Sequence, residues 1–162
     1  MMKRLLSLLL ILCLALGCAF AEVLVEGDVA ITDTLLVEYG QWYSEPDEVA
    51  LYLHAFAELP FNYLTKSEAR KLGWDSASGN LWDVAPGMSI GGDRFGNREG
   101  LLPDARGRTW YECDVNYQGG YRGAERLLFS DDGLIYYSGD HYQSFELLYD
   151  DWYWSDGWYL WD

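Results

Sequence analysis

The hydrophobic pattern of this sequence changes period near Met88, and that change decides the class of fold. Before it, Val49, Tyr52, Leu53 and Phe56 recur at helical spacing until Leu59-Pro60 ends the run. Ser44 and Asp47 precede them at capping-box spacing, with aspartate in place of the usual Glu or Gln. Thr65 and Glu68 repeat the capping signal, with Ala69 and Leu72 inside and Gly73 as a left-handed stop, and a third helical turn is predicted from Asn80 to Ala85. After Met88 apolar residues alternate between Gly and Asp punctuation, which predicts short antiparallel strands. Helices first and strands later make an α+β chain, with N-terminal helices packed on an antiparallel sheet. From Arg108 to Val115, alternation puts Trp110, Glu112 and Asp114 on one face and Tyr111, Cys113 and Val115 on the other, so Cys113 reads as a small core residue. Asp132-Gly133, between Leu127-Leu128-Phe129 and Leu134-Ile135-Tyr136-Tyr137, predicts a tight hairpin.

Residues 1–21 read as a secretory signal peptide. Lys3 and Arg4 precede an apolar run from Leu5 to Leu16 that is too short for a comfortable membrane span, and Ala19-Phe20-Ala21 has the small-x-small form cleaved by signal peptidase. A lipoprotein reading at Gly17-Cys18 is disfavoured by Leu16, which stands where such signals prefer a small residue. Cleavage after Ala21 removes Cys13 and Cys18, leaves Cys113 as the sole thiol and precludes an intramolecular disulfide. Core packing must then supply the stability. The expected product is secreted and extracellular, free of the membrane and monomeric.

Without Lys3 and Arg4, 11 basic residues become 9 against 26 acidic, and the net charge of −15 becomes −17. Such a surface repels nucleic acid at long range, so a nucleic-acid reading requires the few cations to be gathered in one place. Residues 22–43 are acidic with short β-like pieces, Val23-Leu24-Val25 and Leu35-Leu36-Val37, and read as either a pro-segment or an added strand. Residues 44–148 form the expected domain, and residues 149–162 are an aromatic, acidic extension. Its segments Tyr149 to Trp154 and Trp158 to Trp161, around Ser155-Asp156-Gly157, suggest an extra hairpin. Trp152 and Trp154 would share a face, for covering a sheet edge or, less commonly, for stacking on sugars or bases.

An ordered set of short motifs then narrows the reading. It runs from Leu59-Pro60-Phe61-Asn62-Tyr63-Leu64-Thr65-Lys66-Ser67-Glu68-Ala69 through Leu72-Gly73-Trp74 and Val84-Ala85-Pro86-Gly87 to Ile90-Gly91-Gly92-Asp93. Phe95-Gly96-Asn97-Arg98-Glu99-Gly100, Glu112-Cys113-Asp114-Val115-Asn116-Tyr117, Tyr121-Arg122, Arg126 and Asp140-His141-Tyr142 follow. From about Val49 to Phe145 this set resembles the barnase-type, microbial guanyl-specific ribonucleases, in the same order and nearly the same spacing.

The resemblance implies an endoribonuclease that cleaves single-stranded RNA 3′ of guanosine through a 2′,3′-cyclic phosphate, then hydrolyses it, without metal or cofactor. Glu112 would be general base and His141 general acid. Their ordinary pKa values, about 4.3 and about 6.5, let carboxylate and imidazolium coexist in mild acid and imply a bell-shaped pH profile. Lys66, Arg122 and Arg126 match phosphate-binding positions, where fixed cations stabilise charge growing on the phosphoryl oxygens. With Arg98 they are four of the nine cations left after the leader. Asp114 matches the carboxylate that holds the arginines, and Asp93 a supporting position. The loop Phe95 to Gly100 would select guanine: Glu99 accepts from its N1 and N2 donors, backbone N–H groups near Asn97 and Arg98 face O6, and Tyr142 stacks on the nucleotide. RNA is the implied substrate and an acidic barstar-like protein the implied inhibitor.

Other residues take structural readings. His54 lies near the end of the first helix, where an imidazolium favours the helix dipole. Phe56, Trp74, Ile90 and Trp110 read as core, and Arg70, Lys71, Arg94, Arg106 and Arg108 as surface charges. Two departures from the family pattern matter. Gly96 stands where serine is common, which loosens the guanine loop, and Leu101 replaces a common lysine, removing a cation near the RNA path. A non-catalytic secreted aromatic binding module and a glycoside hydrolase pairing Glu99 with Glu112 are the rival readings. Neither accounts for Lys66, Arg98, Arg122 and Arg126 together with His141.

Overall fold

The computed structural model describes residues 23–32 and 34–151. The leader and nearly all of the expected C-terminal hairpin lie outside the described residues. Helix α1, Pro46–Phe56, does not begin with the predicted capping box: Glu45 is the N-cap and makes no side-chain cap bond, while Pro46 opens the helix. Proline suits that place because a first-turn N–H has no helical partner to lose, and Asp47 and Glu48 favour the positive end of the helix dipole. Ser44 instead offers its carbonyl to the Asn116 N–H at 2.8 Å. Ala57, left-handed at φ 55°, closes the helix with an N–H to the Leu53 carbonyl.

Helix α1 is apolar on two faces, so it needs two partners. Val49, Ala50 and Leu53 pack against Cys113, Val115, Leu127 and Ile135 of the main sheet. Leu51, Tyr52 and Ala55 pack against Ala30 and Val37 of an N-terminal meander. The meander is an antiparallel sheet of β1, Leu24–Glu26, β2, Val29–Ile31, and β3, Leu36–Glu38. The part of residues 22–43 left open by the sequence is therefore three paired strands. Their alternation buries Ala30 and Val37 and turns the cross-strand row Leu24, Ile31 and Leu36 outward.

The main sheet has the order β4-β5-β6-β7-β8-β9. Its strands are β4, Tyr63–Leu64, β5, Ser89–Phe95, β6, Trp110–Asp114, β7, Arg126–Ser130, β8, Ile135–Ser138, and β9, Glu146–Tyr149. All neighbours are antiparallel except β4 and β5, a two-residue parallel pair at the edge. The Asp132-Gly133 turn joins β7 to β8 as the sequence predicts. Between β4 and β5 lie α2, Lys66–Lys71, with the Thr65–Glu68 capping box formed in both directions, and α3, Leu81–Val84. Ala69, Trp74, Leu81, Ala85, Ile90 and Tyr117 form a smaller core beneath these helices.

Strand register determines where the chemistry lies. On the sheet face turned from α1, Asp93 is opposite Glu112 and Asp114 is opposite Arg126, while Phe95 pairs with Trp110. Leu102, Trp110 and Leu128, all nearly inaccessible, make that face apolar at one end. The other end carries the charges.

His54 is structural, as expected, but not as a cation at the helix end. Its ring is 7% exposed, stacks on Tyr149 at 4.3 Å and meets the Asp151 carbonyl through Nδ1 at 2.9 Å. Burial lowers its pKa against the raising effect of that carbonyl, so the neutral imidazole is favoured over a cation at the helix end.

Candidate active site

Lys66 is the first residue of α2, and both of its nitrogens are used. Its backbone N–H donates to Asp93 Oδ2 at 2.7 Å, and its ammonium donates to Glu112 Oε1 at 2.5 Å. Tyr142 donates its hydroxyl to the other oxygen, Glu112 Oε2. Burial pushes the Glu112 carboxyl up, but these two hydrogen bonds and the charges of Lys66 and Arg122 outweigh it, so Glu112 titrates below the usual glutamate range.

Asp114, 2% exposed, ties down both arginines. Arg122 donates Nε and Nη2 to its two oxygens at 2.6 Å each, and Arg126 Nε lies 3.0 Å from Oδ1. A buried ion group of this kind survives desolvation only when its remaining donors are satisfied. Arg126 Nη1 meets that condition by donating to the carbonyls of Gly123 at 2.9 Å and Glu125 at 2.7 Å. Its Nε also reaches the Tyr142 hydroxyl at 3.2 Å.

The expected cationic pocket is only partly so. Lys66, Arg122 and Arg126 face Asp93, Glu112 and Asp114, so the inner site is close to charge balance. The open cleft beside it, about 480 Å³, is lined by Arg122, Arg126 and His141 with Ser76, Tyr121 and Ala124, and by no carboxylate. The cleft wall thus presents basic side chains without a carboxylate among them.

His141 and Tyr142 are held in consecutive left-handed conformations, φ 58° and 72°, which cost energy for non-glycine residues. Asp140 makes this turn. Its carboxylate accepts from the Gln143 and Ser144 N–H groups, both at 2.9 Å, and from the hydroxyls of Ser138 and Ser144. Ser138 Oγ accepts the Tyr142 N–H, and the His141 N–H donates to the Ala124 carbonyl, joining this turn to the arginine loop. The Ser144 hydrogen bonds hold the Asp140 carboxyl down at about 2. Asp140 had no role in the sequence reading. Its signal was an aspartate followed four residues later by serine, too common to stand out.

The loop after β5 is shaped by Asn97, φ 40°, whose side chain donates to the Leu102 carbonyl at 2.9 Å and accepts the Leu102 N–H at 3.1 Å. Phe95 stacks on Tyr142 with centroids 5.2 Å apart, which connects the loop to the charged cluster. Arg98 and Glu99 are exposed, and neither makes a hydrogen bond or ion pair among the described residues. Of the twelve residues singled out from the sequence, ten therefore share one continuous network or cleft wall, while Arg98 and Glu99 are exposed and joined to neither. Among the described residues no group of three or more His, Cys, Asp or Glu side chains could hold a metal ion.

A family model described as ribonuclease matches residues 48–149. The chain belongs to the barnase-type ribonuclease family. This ribonuclease is 59% identical over 99 residues to "Ribonuclease" of Heyndrickxia coagulans, covering 61% of this chain and 91% of that relative. "Ribonuclease" of Bacillus intermedius is equally similar, at 59% over 99 residues, but the match covers 61% of its length. "Guanyl-specific ribonuclease St" of Saccharopolyspora erythraea is 44% identical over 57 residues, 35% of this chain and 56% of that relative. The N-terminal meander lies outside the family match.

Proposed function

We propose that this ribonuclease is exported and cleaves single-stranded RNA on the 3′ side of guanosine by transphosphorylation, with Glu112 and His141 exchanging the protons. The observation carrying this reading is that one residue, Tyr142, links the base loop, the carboxylate, an arginine and the histidine. Its hydroxyl meets Glu112 and Arg126, its ring stacks on Phe95 of the base loop, and it directly follows His141. Guanosine enters against Phe95, with Glu99 accepting from the base, and its ribose lies over Glu112. The 2′-hydroxyl then replaces the Tyr142 hydroxyl on Oε2 and gives its proton to the carboxylate. Lys66, Arg122 and Arg126 stabilise the charge that grows on the phosphoryl oxygens. His141, exposed on the cleft wall, protonates the departing 5′-oxygen, and the two proton carriers exchange roles when water opens the cyclic phosphate.

The guanine preference is further supported by the name of the Saccharopolyspora relative. Export rests on the leader read in residues 1–21, and a monomer that meets an acidic barstar-like inhibitor at the Arg122–Arg126 wall completes the reading.

The test is incubation of the purified protein with guanylyl and adenylyl dinucleotides in EDTA, beside Glu112→Gln and His141→Ala. Guanosine 2′,3′-cyclic phosphate should form with the parent, at a rate reduced about 10²–10⁴-fold in either variant. Equal cleavage after adenosine defeats the guanine assignment. Undiminished activity in both variants defeats the mechanism, and no turnover by the parent favours a binding module on the same fold.

A further inference from the structure

Three exposed aromatic side chains are connected through neighbouring backbone, beginning at the cleft. Tyr121, 71% exposed, lines the cleft wall beside Arg122 and His141. Two residues back, Trp82 lies directly on Gly119, where a Cβ would come within 2.8 Å of the indole Cε3. Trp82 Nε1 donates to the Met88 carbonyl at 2.9 Å. The neighbouring Gly87 carries Trp42 in the same way, with a Cβ there reaching 2.7 Å from Cζ3. Both glycines have positive φ, 84° and 77°, so the bare backbone that receives each ring is also a conformation side chains avoid. Packing accounts for one side of each indole. Trp82 remains 36% exposed and Trp42 56% exposed.

The geometry points to a stacking track for the RNA segment 3′ of the cleaved bond, with successive bases on Tyr121, Trp82 and Trp42. This rests on the proposed reading that guanosine occupies the Phe95 loop. On that reading the strand direction follows from the site. The 5′ base lies at Phe95, whereas His141, which protonates the leaving nucleoside, lines the same cleft as Tyr121, so the leaving side of the strand runs toward Tyr121. Charge favours the same conclusion. The inner cations are already paired with carboxylates and the chain carries a net charge of −15, so long-range attraction adds little hold on a polyanion. Stacking needs no cation, and it tolerates any sequence because every base has a π-face. Trp42 and the meander lie N-terminal to the family match, so the far end of the track is outside it.

The experiment uses the full protein and a ladder of substrates in which guanosine is followed by one, two or four uridines. KM should fall with length, about five- to tenfold from shortest to longest, with kcat little changed. Trp82→Ala and Trp42→Ala should flatten the ladder while leaving the dinucleotide rate intact, and Trp82→Phe should restore most of it. Because Trp82 also packs edge-on against Tyr117, with centroids 5.6 Å apart, thermal midpoints of all variants accompany the kinetics. Binding of an all-deoxy version of the longest substrate, followed by tryptophan fluorescence, reports on the track without turnover. Quenching in the parent that is lost in both alanine variants supports it. A flat ladder in a parent that cleaves the dinucleotide overturns the track alone, whereas no dinucleotide cleavage defeats the guanosine reading and leaves the fluorescence arm to decide. Quenching by chito-oligosaccharides but not by the deoxy-oligomer assigns the surface to glycans and overturns the proposal.

Discussion

Tyr142 and Lys66 occupy the two oxygens of Glu112, one each, so each oxygen of the carboxylate proposed as general base already accepts a hydrogen bond before substrate arrives. Tyr142→Phe removes one of these donors and keeps the ring on Phe95. Glu112 is depressed on balance, so it stays ionised until pH falls through its lowered pKa. Losing a donor raises that pKa. The acid limb of the kcat/KM profile should therefore move to higher pH in Tyr142→Phe, and an unmoved limb would show that the hydrogen bond has no hold on the base.

Asp140 acts on His141 through the backbone. Its lowered pKa, about 2, means that the turn's carboxylate contribution is fully present above the ordinary aspartate value and is lost as pH falls toward 2. At neutral pH, Asp140→Ala should lower kcat about tenfold or more by releasing His141 from its place, with KM changed less. Asp140→Asn, which keeps an acceptor oxygen, should recover part of that loss. Steady-state kinetics on a guanylyl dinucleotide decides between them, and equal kcat in all three proteins would make the turn irrelevant to catalysis.

The meander should behave as part of the working fold. Val37 is fully buried against α1, and Val37→Ala should cost about 2 kcal/mol, read from urea midpoints. Removing residues 23–38 strips cover from Leu51, Tyr52 and Ala55 and should cost more, because each large side chain returned to water forfeits about 1.5–3 kcal/mol. Activity below the transition should persist, since the site lies on the opposite face of the main sheet. A truncated protein as stable as the parent would identify the segment as a dispensable pro-sequence.

Salt should matter little. Two phosphates held in the cleft give a slope of log(kcat/KM) against log salt of about −1 to −2. Leu101, 56% exposed, supplies no charge beside the RNA path. A slope of about −4 or steeper, measured between low and physiological salt, would mean that cations outside the cleft wall are engaged.

Much of this arrangement was legible in the sequence, for identifiable reasons. The Thr65–Glu68 box and the Asp132-Gly133 hairpin are decided by residues within a few positions of one another, and both form as predicted. The alternation around Glu112 survives because a one-residue slip would expose Cys113 and bury charge on the helix side. The start of α1 was misplaced because Pro46 does the work assigned to Ser44. The meander was seen only as β-like pieces, since three-residue strands carry too little periodicity to assign, although the apolar character of α1 all around its circumference was a cue that a second layer covers it. The near balance of charge in the site was hidden because Asp93 lies far from Lys66 in sequence and meets it through a backbone N–H. His54 is structural as its place near the helix end implies, but its partners could not be read, because Asp151 and Tyr149 approach it from far along the chain.

The two-faced helix also bears on the order of assembly. Strands β1 to β3 and helix α1 are contiguous, so both sides of one apolar cluster emerge within the first described third of the chain. Their loops are short and closing them costs little entropy. The main sheet, by contrast, needs β4 to β9 before its register can form. A chain appearing N-terminus first can thus hide the outward side of α1 while the inward side waits for its strands, which reduces the sticky surface shown by the nascent protein during its slowest, most non-local step.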